Sequence, residues 1–244
     1  MLLAVPAHGQ IYVVNAGSGT IGEYSLTGQA INTSFITSLS SPTSIAASGG
    51  YLYVAQQNGI ISKYTTAGML VNASLINVFF NPTGITVSGN NLFVASANKS
   101  QGLIGEYTTD GAAIKAVLVS GLSNPGGLAT DGNNLYIATW AGGAFGQGNV
   151  GKYTTAGATV NASLIGTTLY YPGGVALDGN GNLFVTTSSG IGEYATDGTP
   201  INPLLINKVR GNSSILFILP TRLYFSINRL FRRLGVGNPI GVNL

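Results

Sequence analysis

Pro82-Thr83-Gly84-Ile85-Thr86-Val87-Ser88-Gly89-Asn90-Asn91-Leu92-Phe93-Val94-Ala95 reads as two short strands joined by a hairpin. The first segment is apolar, Ser88-Gly89-Asn90 makes the tight turn, and the second segment alternates about Phe93. A loop leads to a third strand, Leu103-Ile104-Gly105-Glu106-Tyr107, and Thr109-Asp110-Gly111 turns it into a fourth around Ala116-Val117-Leu118-Val119. The same wording recurs along the chain. Tyr24, Tyr64, Tyr107, Tyr153 and Tyr194 follow one another at 40, 43, 46 and 41 residues, and Pro42, Pro82, Pro125 and Pro172 keep step at 40, 43 and 47. A period of that length, filled with short strands, predicts the blades of a β-propeller, four antiparallel strands to a blade.

Composition agrees with an all-β chain. The 244 residues suffice for one large domain, and the continuous repeat argues against two. Only 7% of residues are charged, against roughly 25% in an average soluble protein, while glycine and small polar residues abound. Cysteine is absent, which removes disulfides and thiolate chemistry and leaves the redox compartment open. The net charge of +3 is concentrated at one end: Lys208, Arg210, Arg222, Arg229, Arg232 and Arg233 include every arginine. Before position 208, four lysines face seven carboxylates, a balance of −3. A mildly acidic body with few cations is a poor nucleic-acid surface.

The phrase Pro-x-Gly-[Ile/Leu/Val]-Ala-x-Asp-Gly-x-x-Leu-[Tyr/Phe]-Val, followed by Ile-x-x-Tyr-x-x-x-Gly, resembles the NHL-type propeller repeat. It stands almost complete at Pro125-Gly126-Gly127-Leu128-Ala129 with Asp131-Gly132-Asn133, and at Pro172-Gly173-Gly174-Val175-Ala176 with Asp178-Gly179-Asn180. The resemblance covers about residues 10 to 207 and implies secreted bacterial propellers, some similar to gluconolactonases. Where that family often carries Ala-Asp and Asn-x-Arg, this chain has Ala95-Ser96-Ala97-Asn98 and Thr186-Thr187-Ser188-Ser189. Asn-x-Ser/Thr triplets at Asn32, Asn72 and Asn161 match the glycosylation acceptor pattern. Their common repeat position points instead to a turn before the outer strand.

About five blades are expected within residues 10–207. Residues 10 to 41 hold the second to fourth strands of a blade without its Pro-x-Gly first strand, whereas the units starting at Pro42, Pro82, Pro125 and Pro172 are complete. Met1 to Gly9 (MLLAVPAHG) resembles the end of a secretory leader without its basic segment and reads equally as a frayed N-terminus; the first reading points to secretion, the periplasm or the cell envelope, the second leaves the cytoplasm open. Residues 208–244 depart from the repeat. Leu223, Ile227, Leu230 and Leu234 fall at helical spacing, and Arg222, Arg229, Arg232 and Arg233 could meet an anionic membrane surface. The alternative is a tail foreign to the propeller, as a frameshift or fusion would produce. Asn238-Pro239-Ile240-Gly241-Val242 resembles Asn81-Pro82-Thr83-Gly84-Ile85 and is a candidate closing strand within 238–244.

Catalytic motifs are sparse. His8, the sole histidine, lies in the leader, so a catalytic triad or histidine metal site in the repeats is not credible. Glu23, Glu106 and Glu193 recur on the third strand, while Asp131 and Asp178 occupy Asp-Gly turns that favour this side chain. The first strands carry no ionisable group. No metal or cofactor is expected.

The second-to-third-strand connection varies most. From the second-strand aromatic to the third-strand tyrosine the separations are 12, 11, 14, 17 and 10 residues. Loops of changing length on a constant frame carry function. The longest, Thr139 to Asn149, holds Trp140, the only tryptophan, with Phe145, Gln147 and Asn149; Asn98, Lys99 and Gln101 stand in the preceding blade. An exposed ring flanked by amides suits a sugar or peptide, although Trp140 filling space between blades explains it too. The reading is a non-enzymatic exported binding scaffold for a glycan, peptide or protein partner. The alternatives are a metal-dependent lactonase or hydrolase, or a gene fragment without independent function.

Overall fold

In the computed structural model each repeat folds into an antiparallel sheet whose strands follow chain order. The structure describes residues 10–25, 28–78, 81–98, 101–140, 146–207, 213–219 and 222–227, the last two stretches as backbone alone. The first blade has three strands, β1 (Gln10–Asn15), β2 (Thr20–Ser25) and β3 (Ala30–Ile36). Four-stranded blades follow. The second is β4 (Pro42–Ser48), β5 (Tyr51–Gln56), β6 (Ile60–Thr65) and β7 (Leu70–Asn77), and the third is β8 (Asn81–Ser88), β9 (Asn91–Asn98), β10 (Gln101–Thr108) and β11 (Ala113–Leu122). The fourth is β12 (Pro125–Thr130), β13 (Asn134–Trp140), β14 (Gln147–Thr154) and β15 (Thr159–Tyr170). The fifth is β16 (Val175–Leu177), β17 (Asn182–Thr187), β18 (Gly190–Ala195) and β19 (Pro200–Asn207). A separate hairpin, β20 (Ser213–Leu219) and β21 (Arg222–Ile227), completes the described chain.

The inner strands β4, β8, β12 and β16 stand side by side around the centre. β20 lies against β16 and β17, and β21 against β1, so the hairpin fills the sector between the last blade and the first. The helical spacing at Leu223 to Leu234 therefore misleads over its described part. Arg222–Ile227 is a strand, because the neighbouring apolar run Ser213–Leu219 offers a partner ladder for a segment rich in aromatic and branched residues. Residues 228–234, with Arg229, Arg232 and Arg233, lie outside the described residues, as do Met1 to Gly9 and the candidate closing strand 238–244. No helix among the described residues is long and apolar enough to cross a membrane.

Burial on both faces explains the unbroken apolar second strands. Leu52 and Val54 join Val14 and Ile21 in the layer between the first two blades, whereas Tyr53 and Ala55 turn the other way to meet Ile85 and Leu92 of the third. The alternation repeats with Phe93 and Ala95 against Leu128 and Leu135, and with Tyr136 and Ala138 against Val175 and Leu183. The core is thus a series of layers between blades. Truncating a buried leucine such as Leu135 to alanine costs about 2–5 kcal/mol.

The recurring Gly-x-Tyr has a packing cause. At Gly22, Gly105, Gly151 and Gly192 the space a β-carbon would take is occupied by the ring of the tyrosine two residues later. The second blade has Ser62 there instead, and its hydroxyl donates to Ala73 O at 2.7 Å while accepting from Gln56 Nε2 at 2.7 Å. Around the centre the inner strands approach so closely that a β-carbon on Gly84 would strike Gly126 O at 2.5 Å.

Polar contacts bridge successive blades. Tyr12 Oη donates to Thr66 O at 3.3 Å, Lys63 Nζ to Thr109 O at 2.9 Å, Lys115 Nζ to Ala156 O at 3.1 Å and Lys152 Nζ to Thr196 O at 3.2 Å. Each acceptor is a backbone carbonyl of the turn joining the third and fourth strands of the next blade. Three of the four body lysines are thereby committed to the scaffold.

Candidate binding site

Trp140 ends β13 and is held at both backbone groups by the segment preceding β12. Its N–H donates to Ser123 O at 3.1 Å, and its carbonyl accepts from Asn124 Nδ2 at 3.1 Å. The half-buried indole reaches towards the fifth blade, where the ring of Tyr171 lies 5.8 Å away, centroid to centroid, tilted by 48°. Aromatic pairs favour such offset or tilted geometry because their quadrupoles repel face to face. Of the two sequence readings, an exposed ring or one filling space between blades, the structure gives a half-buried Trp140 that is half of an aromatic pair spanning a blade junction.

Tyr171 occupies an unusual backbone position. The residue before each inner-strand proline sits at left-handed φ in three blades: Ser41 at 48°, Asn124 at 39° and Tyr171 at 48°. Asparagine visits this region readily, but a bulky side chain does so at a cost. Tyr171 N–H donates to Gly146 O at 2.7 Å. Gly146 is itself at φ 52°, and a β-carbon there would collide with the Tyr171 ring. The glycine accepts the backbone conformation and leaves room for the ring.

The other expected site residues divide sharply. Gln147 is exposed and pairs across the sheet with Tyr170, which is 47% exposed. Asn149 is half-buried, and its Oδ1 accepts from Thr139 Oγ1 at 2.6 Å, which makes it part of the scaffold. Asn98 and Gln101 are exposed and pair with each other where β9 meets β10, in the neighbouring blade. Phe145 and Lys99 lie outside the described residues. Much of the expected long loop is strand, since Trp140 still belongs to β13 and Gln147 already opens β14. Sequence reasoning missed Tyr170 and Tyr171. Lining up Ser41, Asn81, Asn124 and Tyr171 as the residues preceding the inner-strand prolines would have exposed the one bulky exception.

Asp131, Asp178 and Glu106 are held by hydrogen bonds within their own blades. Asp131 Oδ1 accepts from the backbone N–H groups of Asn133 and Asn134 at 2.9 and 2.6 Å, and its Oδ2 from Tyr136 Oη at 3.0 Å. Burial alone would raise the Asp131 carboxyl, but these bonds and that from the Asn134 amide hold it below the ordinary value. Burial, and then the Asp131 carboxylate, push the Tyr136 phenol strongly up. Asp178 repeats the arrangement, accepting from Asn180 and Asn182 N–H at 2.7 and 3.0 Å. Glu106 accepts from Asn91 Nδ2 at 2.8 Å, and burial raises Glu23. Among the described residues no three acidic, histidine or cysteine side chains cluster as metal ligands would. On the inner strands, Thr43 and Thr83 hydroxyls donate to Ala55 O and Ala95 O, both at 3.3 Å, and Ser44 Oγ accepts from Ile85 N–H at 3.2 Å.

The Asn-x-Ser triplets lie within the outer strands β3, β7 and β15, which corrects the expectation of a preceding turn. Asn32, Asn72 and Asn161 accept from the N–H of Ser34, Ser74 and Ser163 at 3.0, 2.9 and 3.0 Å. The bonds fall where the outer ladder shifts register, so each asparagine satisfies a donor the shift would leave unpaired.

These features define a β-propeller with an aromatic pair at one blade junction. The LVIVD repeat matches residues 41–61, the first two strands of the second blade. Among solved structures, a propeller in the nidogen/laminin complex superposes with a TM-score of 0.75 at 18% identity, covering 89% of this chain and 85% of that one. A gluconolactonase from Xanthomonas campestris gives 0.71 at 14% identity, covering 90% and 79%. The calcium-binding protein regucalcin from Agrobacterium tumefaciens gives 0.70 at 15% identity, covering 93% and 81%. Among curated proteins no relative matches. The repeat match and these neighbours support a β-propeller of repeated blades, and the neighbours comprise binding proteins as well as enzymes.

Proposed function

We propose that this protein is a non-enzymatic binding scaffold, exported to the cell envelope or beyond, that offers one face of its propeller to a glycan, peptide or protein partner. The observation that carries this reading is the Trp140–Tyr171 pair, two large rings meeting at 5.8 Å across a blade junction and both only half-buried. Partly open aromatic surface on a rigid frame is what recognition sites are built from. The propeller of the nidogen/laminin complex is an example of this fold beside a protein partner. The leader-like Met1 to Gly9 supports export.

The test pairs two measurements on the purified protein. An array of glycans and peptides should retain the wild type and lose Trp140→Ala, while sugar lactones remain unhydrolysed with calcium present. Calcium-dependent lactone hydrolysis would overturn the non-enzymatic reading, and cell fractionation checks the compartment.

A further inference from the structure

We propose that Trp140, Tyr171 and Tyr170 form a stacking platform for a neutral sugar, with Gln147 at its rim; this rests on the binding reading above and names the ligand class. Tyr171 is the starting point. Where Ser41 and Asn124 hold the same left-handed backbone with small polar side chains, this blade holds a tyrosine at φ 48°. The fold does not need a ring there, since the other blades close without one. Gly146 adopts φ 52° directly beneath it, so two neighbouring segments are shaped around the position of a single side chain. Strain held in place by its surroundings points to use of the strained residue.

The ring meets Trp140 at a 48° tilt. Tyr170, next in the chain and 47% exposed, offers a further ring beside the pair, opposite the exposed Gln147 in the strand register. The surrounding side chains Ser123, Asn124, Thr139 and Asn149 carry no charge. A pyranose has an apolar C–H face for the rings and hydroxyls for the amide, with no ionic group that needs a counter-charge. A peptide bound by strand addition would need a free sheet edge. Here β13 and β14, which carry Trp140 and Gln147, are paired on both sides, and only β15, which carries Tyr170, is an outer strand.

Trp140 is the chain's single tryptophan, so its fluorescence reports this site alone. The probes are hexasaccharides of glucose, mannose and N-acetylglucosamine, with hexaproline as a peptide that also stacks on aromatic rings. A saturable change in emission with at least one sugar is expected. Tyr171→Asn should weaken that affinity about tenfold or more, the effect of losing roughly 1.4 kcal/mol of contact, and Tyr171→Phe should retain it. Because asparagine suits the backbone, the Tyr171→Asn unfolding midpoint should stay close to wild type, separating lost recognition from lost fold. No saturable change with any sugar up to about 10 mM, an affinity too weak to count as recognition, overturns the proposal. A response to hexaproline alone also overturns it but leaves the scaffold reading standing. Silence here together with an empty glycan and peptide array removes both.

Discussion

The ammonium of Lys63 donates to the carbonyl of Thr109, 46 residues away and in the next blade, at 2.9 Å, and only secondarily to the Asp110 carboxylate at 3.2 Å. Lys63 is 8% exposed and lies 4.4 Å from the Tyr51 ring centroid, whereas the Asp110 side chain is 89% exposed. The carbonyl bond and the buried stem therefore matter more than the ion pair.

Lys63→Ala is expected to cost about 2 kcal/mol, from a charged hydrogen bond and lost packing of the alkyl chain. Asp110→Asn should change stability by less than about 0.5 kcal/mol, as exposed ion pairs do. Urea unfolding of the two variants checks the order, and equal losses would contradict it.

Gly84→Ala and Gly105→Ala should both destabilise, and Gly84→Ala should do so more. A β-carbon on Gly84 meets the backbone of Gly126 at 2.5 Å, which can yield only if two blades separate. On Gly105 it meets Tyr107 Cε2 at 2.7 Å, and that ring can shift a little. The expected costs are about 3 and about 1–2 kcal/mol, in the range of overpacked cores, readable as thermal midpoints.

Stability should fall in alkali. Burial raises the phenols of Tyr12, Tyr64, Tyr107, Tyr153 and Tyr194 above 10.0, and Tyr136 is raised further with help from Asp131. A folded pKa above the unfolded one means that the stabilisation is complete below pH 10.0 and is lost as pH climbs towards the folded values. Asp131 acts oppositely: its folded pKa is lowered, so its contribution is present above 3.8 and is lost as pH falls further. A thermal midpoint measured from pH 3 to 11 should form a plateau with losses at both ends. An unchanged midpoint above pH 10 would contradict the burial of these rings.

Asn72→Asp should leave stability within about 0.5 kcal/mol of wild type because the acceptor for Ser74 N–H survives, whereas Asn72→Ala should cost about 1 kcal/mol. The comparison separates the hydrogen bond, 2.9 Å in the structure, from an acceptor role in glycosylation. A glycan at this position would show as added mass on the intact protein and would be lost in both variants.

The spacing of Tyr24, Tyr64, Tyr107, Tyr153 and Tyr194 was enough to read the blades, because strand, turn and Gly-x-Tyr are local and recur with the period. The blade without an inner strand was equally legible at residues 10 to 41, and β1 to β3 match it. The role of Asn149 was not legible, since its amide faces ligand or Thr139 according to a strand register that the sequence left open. The segment Arg222–Ile227 carried helical spacing, and only a partner strand from Ser213–Leu219 decided otherwise.

The amino-acid sequence alone therefore determined an all-β repeat architecture, its neutral surface and the position of its single tryptophan. Tertiary structure alone decided what that tryptophan touches. Tyr171 lies 31 residues beyond Trp140 in the chain, and their rings meet because the fifth blade packs on the fourth with Tyr171 turned to left-handed φ. The lysine bridges to Thr109, Ala156 and Thr196 have the same origin. Within a blade, alternation and turn chemistry act between chain neighbours; between blades, contacts depend on the curvature of the ring, to which every blade contributes.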